Sequence, residues 1–126
     1  MDTPSDRRYT STHEWHKLEG GIVTIGLTKF AVDELADITF VSLPKVGQAV
    51  SAGGRFGEIE SVKATSDLYS GVEGNVTETN SELNTNPAVV NSDPYGKGWL
   101  IRLKPNNPGD IDKLLTVEQY LKATGH

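Results

Sequence analysis

Turn-forming residues recur at short intervals along this chain, and that spacing leaves room for little but short strands. The punctuation is Glu19-Gly20-Gly21, Pro44 with Gly47, Gly53-Gly54, Ser70-Gly71, Gly74-Asn75 and the stretch 91–98. Between these marks lie runs rich in β-branched and apolar residues: IVTIG (22–26), ITFVSL (38–43), GEIESV (57–62), GNVTET (74–79) and GWLIRL (98–103). Such a rhythm predicts an antiparallel sandwich or barrel. In ITFVSL, alternation puts Ile38, Phe40 and Ser42 on one face and Thr39, Val41 and Leu43 on the other. Both faces are partly apolar, so this strand is expected to be covered on both sides.

Two stretches depart from the β pattern. In LTKFAVDEL (27–35), Thr28 can cap a helix whose Ala31 and Leu35, one turn apart, would face the core. Near the C-terminus, Thr116 followed by Gln119 is a capping-box signature, which starts a fresh helix at Thr116. No linker or low-complexity segment interrupts the chain, so residues 1–126 are expected to form a single, mainly β domain with helical cover at the end.

Composition narrows the partners. A net charge of −5 supplies no basic face for nucleic acid or for an anionic membrane. No window approaches the ~20 apolar residues of a membrane span. Cysteine is absent, which excludes disulfides, thiolate metal sites and cysteine nucleophiles. The opening MDTPSDRRYTSTHEW lacks the apolar run of a secretory signal and carries acids where a transit peptide is acid-poor. The expectation is a cytoplasmic monomer.

Within GEIESVKATSDLYSG (57–71), Lys63 is the single basic residue, with Glu58 and Glu60 just before it. If 57–62 and about 66–70 pair as strands, Lys63 to Thr65 form the tip of a hairpin. Nothing beside the lysine in sequence desolvates it or places a cation next to it, so it is a poor nucleophile on its own. What the position offers is access: a separate enzyme can grip the hairpin and acylate a protruding amine. An ordinary solvated surface lysine fits the same pattern.

ESVKA, with Gly74 eleven residues beyond the lysine, resembles the attachment motif of lipoyl carrier domains. The biotinyl variant of that motif has methionine on both sides of its lysine, where this chain has Val62 and Ala64, so biotin is the poorer fit. The resemblance extends over YTSTHEW (9–15), IGLTKFAVDELADITFVSLPKVG (25–47), FGEIESVKATSDLYSGVEGNV (56–76), NSDPYGKGWLIRLKP (91–105) and LLTVEQY (114–120). These five ordered blocks are similar to the H-protein family of the glycine cleavage system. Two positions differ from the family pattern: Ala36 stands where glycine is usual, and Gly71 where proline is usual. Gly71 is expected to loosen the strand after the tip, since glycine loses more backbone entropy on ordering.

The resemblance implies a barrel-sandwich hybrid fold and a non-catalytic role. Lys63 would carry (R)-lipoate in amide linkage, placed there by a lipoate-attaching enzyme for which Glu58, Glu60 and Gly74 are candidate contacts. The arm would serve glycine decarboxylase, a pyridoxal-phosphate enzyme, then the aminomethyltransferase, and finally dihydrolipoyl dehydrogenase. Thr12, Glu14 and Asp67 are candidates for a cleft that shelters the loaded arm, where carboxylates would favour its protonated amine.

Other chemistries find less support. In HEWH (13–16) the histidines are three apart, an odd spacing that puts them on opposite faces of a strand, and His126 is terminal. No metal site is expected. No G-x-S-x-G is present for a hydrolase. Trp15 and Trp99 read as core or rim aromatics, and NSDPYGKGW (91–99) as a turn-rich loop. The competing readings are a lipoyl-like binding module whose lysine is never modified, or one that relays lipoate, and, further behind, a small β-rich enzyme.

Overall fold

A computed structural model describes residues 3–125, so His126 lies outside the described residues. The chain is mostly antiparallel β, in two sheets. The larger orders its strands β1-β2-β3-β9-β8-β5, where β1 is Arg8–Tyr9, β2 Glu14–Glu19, β3 Ile22–Leu27, β5 Ala49–Val50, β8 Gly74–Thr79 and β9 Ile101–Pro105. The smaller orders β4-β6-β7, with β4 Ile38–Ser42, β6 Arg55–Ser61 and β7 Thr65–Tyr69. Val23, Ile25, Leu103, Val41, Ile59 and Leu68 come from both sheets into one apolar core. Each fully buried aliphatic side chain there contributes about 1.5–3 kcal/mol.

Helix α1 (Lys29–Leu35) begins where the capping residue sets it: Thr28 Oγ1 accepts from the Ala31 N–H at 3.3 Å. The side chain it buries is Val32, with Ala31 and Leu35 packed partly against the core on either side. The helix stops at Ala36, whose φ of 63° and ψ of −142° belong to glycine territory. Asn91 fixes this exit, donating to the Ala36 carbonyl at 2.7 Å and accepting from the Ile38 N–H at 2.9 Å. Asn91 belongs to a short helix, α2 (Val89–Ser92), in a region that the sequence suggested was loop.

At the C-terminus, a 3₁₀ segment (Pro108–Lys113) leads into helix α3 (Val117–Ala123). Thr116 and Gln119 form the capping box in both directions. Tyr120 stacks on Tyr9, with ring centroids 4.8 Å apart, in a second apolar cluster that includes buried Trp15. Trp99 packs at its rim, under the Arg102 guanidinium.

Strand β4 differs from its expected pattern. A bulge between Ile38 and Phe40 shifts the pairing with β6, so Ile38 and Val41 both enter the core despite their odd spacing. Phe40 is turned out and 51% exposed, so this strand is covered on one face only.

Candidate functional site

Strands β6 and β7 pair from Arg55↔Tyr69 to Glu60↔Thr65, so the tip is Val62–Ala64, one residue earlier than the sequence suggested. Ser61 ties this tip together. Its hydroxyl accepts from the N–H groups of Lys63 and Ala64, each at 3.1 Å, and donates to the Ala64 carbonyl at 3.2 Å. The Ser61 N–H donates to the same carbonyl at 2.8 Å, and the Val62 N–H donates to Asp37 O at 3.0 Å. The backbone is thereby held while the Lys63 side chain stands exposed. Among the described residues its Nζ has no ion pair or hydrogen bond. Sequence reasoning found the lysine but missed Ser61; a serine directly before a tip, bonding the N–H groups two and three residues on, is a side-chain-to-backbone turn signal.

Strand β7 runs from the tip along a cleft of about 340 Å³. Leu27, Phe30, Ala31 and Leu35 give it an apolar wall, and Thr12, His13, Glu34, Ser66 and Asp67 supply its polar groups. Thr12 and Asp67 therefore meet in one place. Asp67 Oδ1 accepts from Arg55 Nε at 2.8 Å, which leaves the carboxylate partly exposed.

Glu14 sits differently. Its side chain is fully buried behind Thr12, and its Oε1 accepts from the hydroxyls of Thr12 and Thr10, the latter at 2.6 Å. Its Oε2 accepts from the Tyr69 N–H at 3.1 Å. Burial raises its pKa, and these donors act against the rise. The carboxylate joins the 10–14 turn to β7 and so braces the cleft from below. Thr10 and the Tyr69 amide are partners that no local pattern announces.

The two histidines are engaged separately. His13 precedes β2 rather than lying in it, with φ 75°, and its Nδ1 is 2.8 Å from the Tyr120 hydroxyl. His16 is fully buried on β2, and its Nε2 accepts from the Gly71 N–H at 2.9 Å.

Against this geometry, comparison with known proteins is decisive. A family model described as glycine cleavage H-protein matches residues 7–126. The chain belongs to that family. It is 51% identical over 120 residues to the glycine cleavage system H protein of Magnetococcus marinus, covering 95% of this chain and 86% of the relative. It is 52% identical over 120 residues to that of Geobacillus kaustophilus, covering 95% and 94%. The crystal structure of a glycine cleavage system H protein from Mycobacterium marinum superposes with a TM-score of 0.90 at 41% identity, covering 98% of this chain and all of that one.

The family is the lipoyl carrier of the glycine cleavage system, so membership implies partner enzymes in that system. Among the described residues, no helix is long and apolar enough to cross a membrane. For an H-protein the remaining site candidates divide clearly. Glu58 and Glu60 are on β6, beside the tip. Glu58 faces Asp67 across the strands, and Arg55 bridges these like charges, reaching Glu58 at 3.1 Å. Gly74 is elsewhere: it is buried on β8 in the larger sheet, where a Cβ would lie 2.3 Å from the Lys104 carbonyl oxygen. Its requirement is close packing, which removes it from the surface around the lysine. Gly71 also differs from expectation. It lies beyond β7, fastened by its N–H to His16 and packed against Leu114 and Thr10, so it is held where loosening was expected.

Proposed function

We propose that Lys63 carries a lipoyl group in amide linkage and that the chain is the non-catalytic shuttle of glycine cleavage. The observation that carries this reading is a free, exposed amine on a tip whose backbone Ser61 and Asp37 hold in place. Such an amine suits acylation by a separate enzyme: it attacks an activated lipoyl carbonyl, the C–N bond forms, and the activating group departs as the nitrogen loses its proton. When bound, the lipoyl group supplies a disulfide–dithiol couple that serves glycine decarboxylase, the aminomethyltransferase and dihydrolipoyl dehydrogenase in turn.

The residues of the chain contribute position. A tether makes each encounter with a docked enzyme nearly intramolecular, which raises effective concentration without any new contact. Ser66 and Asp67, at the cleft, lie near the start of β7, three and four residues beyond Lys63 in the tip, so at most about 10–14 Å of chain separates them from it. The cleft's apolar wall fits an aliphatic chain, and the Asp67 carboxylate with the Thr12 hydroxyl suits a cationic end. Glu14, behind Thr12, holds that hydroxyl in place and adds negative charge.

The test is glycine–bicarbonate exchange by glycine decarboxylase in the presence of the lipoylated chain. Exchange should depend on the chain and be lost with Lys63→Arg. Exchange that persists with Lys63→Arg would contradict the reading.

A further inference from the structure

Among the described residues, four large hydrophobic side chains are exposed: Leu18, Phe40, Val46 and Val62. Two of them, Phe40 and Val62, flank the lysine. Phe40 pairs with Glu60 across the strands, and Glu60 with Thr65, so these three share one outer face of the small sheet. Val62 is within the tip itself and is 65% exposed.

The exposure of Phe40 has a structural cause. The bulge after Ile38 turns it outward, and the Thr39 hydroxyl fastens that bulge by donating to the Glu60 carbonyl at 3.3 Å. Bulges commonly re-aim a side chain next to a functional site. A regular strand in this place would have alternated instead. Glu60 differs from its neighbours in a second way: Glu58 and Asp67 share Arg55, whereas Glu60 has no ion pair among the described residues.

An enzyme that acylates Lys63 must approach this end of the small sheet. The surface it meets is an aromatic ring, a valine and an unneutralised carboxylate on a chain of net charge −5. We propose that Phe40 and Val62, beside the already expected contact Glu60, complete the grip by which the lipoate-attaching enzyme holds the hairpin, and that this partner presents an apolar socket for the ring with a cationic group beside it. Aromatic anchors in desolvated sockets dominate interfaces, and complementary charge sets register and on-rate. This inference rests on the reading of Lys63 as the attachment site.

The experiment is a time course of intact mass with a lipoate ligase, lipoate and ATP, using the full chain. Phe40→Ser should lower kcat/KM roughly tenfold or more, mainly through KM, with Phe40→Leu recovering part of the loss. Glu60→Lys should slow attachment most at low salt. Val46→Ser, at an equally exposed valine beyond the far end of β4, should match wild type, and Lys63→Arg should stay unmodified. Thermal melting checks that Phe40→Ser folds, as its exposure leads one to expect. Wild-type rates in Phe40→Ser and Glu60→Lys, with Lys63→Arg silent, would overturn the grip alone. A wild type that takes up no lipoyl group would overturn the attachment reading and the grip with it.

Discussion

The Gly71 backbone N–H donates to Nε2 of buried His16 at 2.9 Å, tying the segment after the lysine hairpin to the larger sheet. Because Nε2 is the acceptor, the neutral ring carries its proton on Nδ1, which among the described residues has no partner in good hydrogen-bonding geometry.

Neutral His16 makes stability depend on pH. Burial pushes its pKa down from 6.5 to about 4. Between those values the unfolded chain binds a proton that the folded chain does not, so stability rises with pH there. The contribution is complete above pH 6.5 and is lost as pH falls towards 4, on the order of 3 kcal/mol in all. Denaturant midpoints at pH 7 and pH 4.5 should diverge strongly for wild type and less for His16→Leu. Equal pH slopes would contradict this role.

Gly71→Pro removes the donor, at about 1–3 kcal/mol for a buried acceptor left unpaired, and adds a steric cost, since a Cβ there would lie 2.7 Å from Leu114 Cδ2 and 2.8 Å from Thr10 Cγ2. In a His16→Leu background the same change should cost clearly less, because the acceptor is gone. Urea titration of the four-member cycle measures the coupling. Additive losses would show that the hydrogen bond is not what distinguishes Gly71 from proline.

Ala36 holds a positive φ that a Cβ disfavours. Ala36→Gly should stabilise the fold by about 1 kcal/mol, or raise Tm by about 4 °C for a chain of this size. A lower Tm would mean that glycine's extra unfolded entropy outweighs the relieved strain.

Asp67 and Glu34 are the accessible carboxylates lining the cleft, and Glu14 lies buried behind it. Asp67→Asn should shorten the lifetime of the aminomethyl-loaded form several-fold without slowing lipoylation, as followed by ammonia release. Glu14→Ala should in addition lower stability, since the Thr10 and Thr12 hydroxyls and the Tyr69 N–H lose their acceptor. An unchanged lifetime in both variants would mean that the cleft does not shelter the loaded arm.

What was legible in the sequence was local. Thr28, the Thr116–Gln119 box and the hairpin around Lys63 are each specified by residues a few positions apart, and each forms within a residue of its expected place. What was hidden depends on partners distant in the chain. Nothing near Glu14 announces the Tyr69 amide, and nothing near His16 announces Gly71. The bulge that exposes Phe40 breaks the very alternation by which strands are read. Glu34, on α1, and Asp67, on β7, meet only because the fold brings both elements to one cleft.

The proposed lipoyl site is a single amine, that of Lys63. Intact mass before and after incubation with lipoate ligase, lipoate and ATP tests it most directly, with peptide mapping of the product. One lipoyl adduct per chain should form, on Lys63, and none on Lys63→Arg. An adduct of equal yield on Lys63→Arg, or none on wild type, would contradict it.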